Sequence, residues 1–197
     1  MTRQSVSAVA LPVAVVLVEG ISDQLALEAL AARRGLNLAR EGIAIVPMGG
    51  SKNIRSFLDR FGPQGLNLKL AGLCDAAEEG DFQRALERAG LGSNLTRSDM
   101  ERLGFYVCVA DLEDELIRSL GPAAVERVID AKGELEPFRS FQRQPAWRER
   151  PHEAQLRRFF GTHGGRKIES AALLVDALNL DRVPRPLDLV LAHVTRV

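Results

Sequence analysis

Up to residue 110 the apolar positions fall into short runs, separated by stretches in which they recur at helical spacing. Residues 13–18 form the first run. Ser22-Asp23 can then cap a helix whose face carries Leu25, Ala26, Ala29, Leu30 and Arg33, with Gly35 as its stop. A second run, 43–47, leads through Met48-Gly49-Gly50-Ser51-Lys52-Asn53 into a helix bearing Ile54, Phe57, Leu58 and Phe61, which Gly62-Pro63 ends. The third run covers 68–74, with Lys69 near its start as the one charged position. It precedes a helix that starts near Glu79, carries Phe82, Leu86 and Ala89, and stops at Gly90. The fourth run is 104–110.

Runs of such continuous apolar character belong to strands buried on both faces. With helices between them they predict an α/β fold, a Rossmann-like four-stranded and mainly parallel sheet flanked by helices. Right-handed crossovers would bring the carboxyl ends of all four strands to one rim. After Asp111 the pattern changes and no strand is legible. Helices are expected at about 111–120, 122–131, 151–160 and 165–179, and a last one over 187–194. A loop or broken helix is expected over 133–151, which holds Pro137, Pro145 and Pro151. The expected organisation is a core over 1–120 and a helical extension over 121–197 packed on it. No internal repeat or low-complexity segment interrupts this plan.

Composition narrows the picture. The chain's 197 residues suit one domain with an appendage, and a 46% hydrophobic content suits a buried core built mostly of aliphatic side chains, since aromatics are only 5%. Lys+Arg and Asp+Glu are both 26, so net charge is zero and general coating of nucleic acid by charge is excluded. A local basic patch is not: Arg139, Arg143, Arg148, Arg150, Arg157, Arg158, Arg166 and Lys167 cluster late, although a solvated helical face explains them as well. Cys74 and Cys108 end apolar runs without metal-ligand spacing and read as buried, reduced thiols of a cytoplasmic protein. The apolar stretch 6–18 is too short to span a membrane, follows only Arg3, and flows into Glu19 without a cleavage-type sequence. It reads as a core strand, and no membrane association is expected.

Chemistry concentrates where strands end. Glu19 follows the first run directly, and Asp23 lies four residues on, a spacing at which two carboxylates can share a hard cation such as Mg²⁺ or Mn²⁺. Asp75 follows the third run, with Glu78, Glu79 and Asp81 crowded behind it. Four carboxylates in so short a stretch repel one another unless a cation is near, although an acidic first helical turn is also favourable in itself. Asp111-Leu112-Glu113-Asp114-Glu115 follows the fourth run and supplies a third acidic cluster, suited to a second metal. Gly49, Gly50, Ser51 and Lys52 open the second helix, where backbone N–H groups, a hydroxyl and an ammonium can hold a phosphate. The P-loop spacing is absent. A late segment, Thr162-His163-Gly164-Gly165-Arg166-Lys167, delivers cations into a helix where they can offset charge developing on a phosphate. His163 reads as solvent-exposed, and no Ser-His-Asp or Cys-His set is present.

In this order, strand–Glu-Gly-x-Ser-Asp–helix, strand–Gly-Gly-Ser-Lys–helix and strand–Asp with nearby acids, the motifs resemble a TOPRIM domain. That domain is shared by topoisomerases, bacterial primases, small RNases and the nucleases of the OLD (overcoming lysogenization defect) family. The resemblance covers about 12–115, and Glu113, Glu115 and the Lys167 helix extend it toward the OLD family as far as about 180. It implies a TOPRIM core that binds divalent metals and cuts nucleic acid, DNA in preference to RNA. Glu19 matches the motif glutamate, Asp23 the acid one turn on, and Asp75 the first aspartate of the DxD motif. Glu113 and Glu115 resemble the carboxylates of a second metal, and Lys167 a downstream catalytic lysine. The implied site therefore has Glu19, Asp75 and Lys167 in catalysis and up to two Mg²⁺ or Mn²⁺ ions on Glu19, Asp23, Asp75, Glu79, Asp81, Glu113 and Glu115. The second aspartate of a DxDxxG pattern falls at Ala77, so Glu79 or Asp81 is expected to take its place. OLD proteins usually carry an ATPase ahead of the TOPRIM domain. This chain has no Walker motif, so it is expected to be a stand-alone TOPRIM or to work with a separate ATPase as partner. A non-catalytic TOPRIM module is the alternative reading, and an RNA-processing nuclease or nucleotidyl transferase a further one. A dinucleotide enzyme is disfavoured because the first turn lacks GxGxxG.

Overall fold

β1 (Ala14–Val18) is buried at every position because it is sandwiched between two helical layers. The computed structural model describes residues 11–162 and 164–196, so residues 6–10 of the apolar stretch, and His163, lie outside the described residues. β1 is paired on one side with β2 (Ile43–Pro47) and on the other with β3 (Lys69–Cys74). β3 in turn pairs with β4 (Phe105–Val107), giving the order β2-β1-β3-β4 with every pair parallel. The register sets Val18 against Pro47, Leu17 against Gly72 and Cys74 against Val107, so the strands end side by side on one rim.

The pleat of β1 sends alternate side chains to the two layers. Val15 and Leu17 join a core with α2 (Ile54–Phe61), α3 (Glu79–Arg88) and α4 (Arg97–Arg102), centred on Phe82 and Phe105. Gly72 is what admits Phe105: a Cβ there would lie 2.5 Å from the ring. Ala14, Val16 and Val18 face the opposite core, formed by α1 (Ile21–Arg33), α5 (Leu112–Leu120), α6 (Pro122–Ala131), α7 (Leu135–Gln142), α8 (His152–Phe160), α9 (Gly164–Asp176) and α10 (Arg185–Thr195). The helices after residue 121 thus share one continuous core with β1 and α1. α9 lies along α1, where Arg33 Nη1 donates to the carbonyls of Val175 and Leu178 at 2.6 and 2.8 Å and so caps the α9 end.

Three departures from the sequence pattern have local causes. α4 is set by a capping box in which Thr96 accepts from the Asp99 N–H at 3.2 Å and donates its own N–H to the Asp99 carboxylate at 2.7 Å. α7 forms despite Pro137 because that residue sits in the first turn, where no intrahelical N–H is needed. β4 stops at Val107, short of the expected 110, and the Val109 N–H goes to the Glu115 carboxylate at 2.7 Å instead of to a ladder. Cys74 and Cys108 are buried free thiols, pushed far up in pKa by burial first and by nearby acids second. Among the described residues no helix is long and apolar enough to cross a membrane.

Candidate metal centre

Adjacent parallel strands place Glu19, just past β1, beside Asp75, just past β3. Asp75 is in extended conformation (φ −74°, ψ 156°), and the chain then winds into a 3-10 turn, Ala76–Glu78. At three residues per turn, positions i and i+3 lie on the same side. Glu78 therefore comes back over Asp75 while Ala77 points to solvent. One carboxylate oxygen each from Glu19, Asp75 and Glu78 lies within 4.8 Å of the others, and Glu78 Oε2 is buried with no hydrogen-bond partner. A buried orphan oxygen among three carboxylates is the environment a hard cation would satisfy.

The main chain holds this arrangement. The Gly49 and Gly50 N–H groups donate to the Glu19 carbonyl at 3.0 and 3.1 Å, and Met48 N–H to the Val18 carbonyl at 2.8 Å. Gly49 (φ 72°) and Gly50 (φ 122°) need the conformations only glycine adopts readily. Two N–H groups that the sequence suggested for phosphate thus brace Glu19, with Ser51 half-buried and Lys52 exposed beyond them. Gly20, by contrast, is extended (φ −141°), so left-handed freedom is not its role. Its N–H donates to Asp23 Oδ2 at 2.8 Å, which ties the buried Asp23 (8% exposed) back to the start of α1.

Electrostatics follow from this crowding. Burial first, then the Asp23 and Asp111 charges, push Asp75 from 3.8 up to about 8, against a lowering pull from Lys167. Glu19 is raised by burial, then by Glu78 and Asp23. Asp23 is raised by burial, against the opposing Gly20 hydrogen bond and Lys167.

The other acids are compensated. Glu79 is bound by Arg97 (Nε to Oε1 2.9 Å), which lowers its pKa, and Asp81 is paired with Arg84 on the same helix. Asp111 caps α5 by accepting from the Asp114 N–H at 2.8 Å, and Arg157 Nη2 lies 2.6 Å from its other oxygen. Glu113 and Glu115 diverge, because helix positions two apart do not share a face. Glu113, 6% exposed, meets Lys167 of α9 at 3.0 Å. Glu115 accepts from Val109 N–H and pairs with Arg118 at 2.8 Å on the β4 side. Burial pulls the Lys167 ammonium down, but Glu113, Asp23 and Asp75 together leave it raised and therefore charged. Sequence reasoning placed Glu78 in the acidic crowd but not in the site. The missing signal was the immediate winding of the chain after Asp75, which exchanges an i+2 partner for an i+3 one.

A wholly parallel sheet with carboxylates gathered at adjoining strand ends defines an α/β domain of the TOPRIM class. Residues 13–76 match the family described as Overcoming lysogenization defect protein-like, TOPRIM domain. The C-terminal region of the Xanthomonas campestris pv. campestris OLD protein, in a structure phased with platinum, superposes with a TM-score of 0.73 at 23% identity, over 93% of this chain and 92% of that one. The C-terminal region of the Burkholderia pseudomallei OLD protein gives 0.72 at 19% identity, over 94% and 98%. At these identities the structural likeness is one of fold. Among curated proteins no similar sequence was found.

Proposed function

We propose that the chain is a divalent-metal-dependent nucleic-acid phosphodiesterase whose ion, Mg²⁺ or Mn²⁺, is held by Glu19, Asp75 and Glu78. The observation that carries the reading is the buried, unpartnered Glu78 oxygen beside two carboxylates of raised pKa. When bound, the metal would supply a Lewis acid that activates water and offsets charge on the phosphoryl oxygens. The chain's own groups do the rest. Asp23 steadies the turn that carries Glu19, and Gly49 and Gly50 fix the Glu19 main chain. Lys167, charged and half-buried, is poised to offset charge on a phosphate, and Ser51 and Lys52 are available to a neighbouring backbone phosphate. Glu113 is the carboxylate suited to a second ion, which would compete with Lys167 for it. Glu115 is engaged by Val109 and Arg118 and acts as a structural support in this reading.

DNA is the proposed substrate and a separate ATPase the proposed partner, both from the OLD likeness. The rival reading, a non-catalytic module, rests on the neutral net charge and on Ala77. Glu78 supplies a third carboxylate without it, which favours catalysis. The test is plasmid cleavage in Mg²⁺ or Mn²⁺ by the wild type and by Glu19→Ala, Asp75→Ala and Glu78→Ala. Cleavage by the wild type alone is expected. Equal activity in all four proteins, or none with either metal, would overturn the assignment.

A further inference from the structure

We propose that the cavity beside Lys167 is a subsite for one unpaired nucleotide, its base stacked on Trp147 and its phosphate on Arg158. The cavity is about 400 Å³ and is lined by Asp111, Glu113, Trp147, Arg157, Arg158 and Lys167, among others. That volume lies within the range of pockets that take small organic ligands, about 300–1,000 Å³. Trp147 is the only tryptophan of the chain and is half-buried. Phe141 stacks on it with ring centroids 5.2 Å apart, so the remaining indole surface is what lines the cavity.

The loop carrying Trp147 is pinned in advance. Gln155, 6% exposed, donates through Nε2 to the Trp147 and Arg150 carbonyls at 2.8 and 3.0 Å, and its Oε1 accepts from Gln142 Nε2 at 2.7 Å. A rigid aromatic held this way costs little ordering on binding.

The charges in the cavity are not equivalent. Arg157 is committed to Asp111 and Lys167 to Glu113. The Arg158 guanidinium has no hydrogen-bond or ion-pair partner among the described residues. One aromatic face, one uncommitted guanidinium and a small cavity together match a nucleobase with one phosphate. A base can enter such a space only outside the helical stack, so the favoured ligand is single-stranded or locally unpaired nucleic acid. The inference rests on the nuclease reading only in that Lys167 joins this cavity to the carboxylate rim.

The test uses the full chain in EDTA, where the one tryptophan reports on this site alone. A short oligothymidylate should quench Trp147 emission, and a duplex of matched length should quench it far less. By anisotropy of a labelled oligonucleotide, Trp147→Ala should weaken binding about tenfold or more, with Trp147→Phe recovering most of the loss. Arg158→Ala should weaken binding about threefold and lower the salt slope by about one. Because Trp147→Ala also removes a packing partner of Phe141, circular dichroism accompanies it. The Phe variant and Arg158→Ala, which leave that contact in place, decide the matter if the Ala variant misfolds. Unchanged affinity in Arg158→Ala together with Trp147→Ala or a poorly binding Trp147→Phe, or equal quenching by duplex, would overturn the subsite. Metal-dependent cleavage with no Trp147 quenching would leave the nuclease reading standing and remove this inference. Tryptophan-dependent binding without cleavage would do the reverse.

Discussion

Replacing Asp75 by asparagine should make the metal-free protein more stable. The Asp75 carboxyl is raised from 3.8 to about 8, by burial first and then by Asp23 and Asp111. Between those values the folded chain retains a proton that the unfolded chain has released, so stability falls as pH rises through this window and levels off above about 8. At about 1.36 kcal/mol for each factor of ten in protonation, the full effect at pH 7 would be about 4 kcal/mol. Asp75 is partly exposed, and solvent screening reduces this to about 2 kcal/mol. For a chain of this size that is a gain of about 4–8 °C in Tm. Among the described residues no hydrogen bond to the Asp75 side chain is lost by the change. The assay is thermal unfolding in EDTA at pH 7.5 and at pH 4.5, with and without Mn²⁺. Asp75→Asn should melt higher than the wild type at pH 7.5, lose most of that advantage at pH 4.5, and gain nothing from Mn²⁺ where the wild type does. A variant that melts lower than the wild type in EDTA at pH 7.5, or that keeps the full Mn²⁺ gain, would refute the reasoning.

Calorimetry with Mn²⁺ should find binding at least about tenfold weaker in Glu78→Ala and within about threefold of wild type in Glu79→Ala and Asp81→Ala, whose carboxylates are held by Arg97 and Arg84; a reversed order would move the site. Because binding must strip the retained protons, Mn²⁺ affinity should climb between pH 6 and 8 and flatten above it, read from the same titrations. Glu115→Ala should cost about 1–3 kcal/mol in urea unfolding while leaving Mn²⁺ affinity unchanged, since it leaves the Val109 N–H without its acceptor and Arg118 with Asp114 alone, without touching the cluster. Gly72→Ala should cost about 1–3 kcal/mol or more, because its Cβ would collide with the Phe105 ring.

The sheet was legible because burial on both faces leaves a simple mark: residues 13–18 and 70–74 are apolar at every position, as covered parallel strands are. Glu19 and Asp75 were legible for the same reason, as polar breaks at the ends of such runs. What the sequence did not carry was partner choice. Glu79 and Asp81 look as available as Glu78 in one dimension, yet Arg97 arrives from α4, an element marked only by its short Thr96-Asp99 capping signature. Glu113 and Glu115 look like a pair, but helix geometry turns one toward Lys167 and the other toward Arg118. The Gly49-Gly50 pair signalled a special loop. That its N–H groups turn to the Glu19 carbonyl depends on β1 and β2 lying side by side.

Charge compensation sorts the acids of this rim more sharply than position does. Glu79, Asp81, Asp111 and Glu115 each have a guanidinium in contact, and their negative charge is spent on holding the fold. Among the described residues, Glu19, Asp75 and Glu78 have none. Lys167, whose charge acts on Glu19 and Asp75, is already bound to Glu113. The main chain that carries two of them is held, since Glu19 is braced by Gly49 and Gly50, and Ala76 N–H donates to the Ala110 carbonyl at 3.0 Å just past Asp75. A fold that pairs nearly every other acid at this edge, yet gathers three carboxylates without a counter-charge, holds a local destabilisation that a divalent cation would relieve. The same fixed main chain would keep the bound ion at the strand ends, with Lys167 and the Trp147 cavity on its flank.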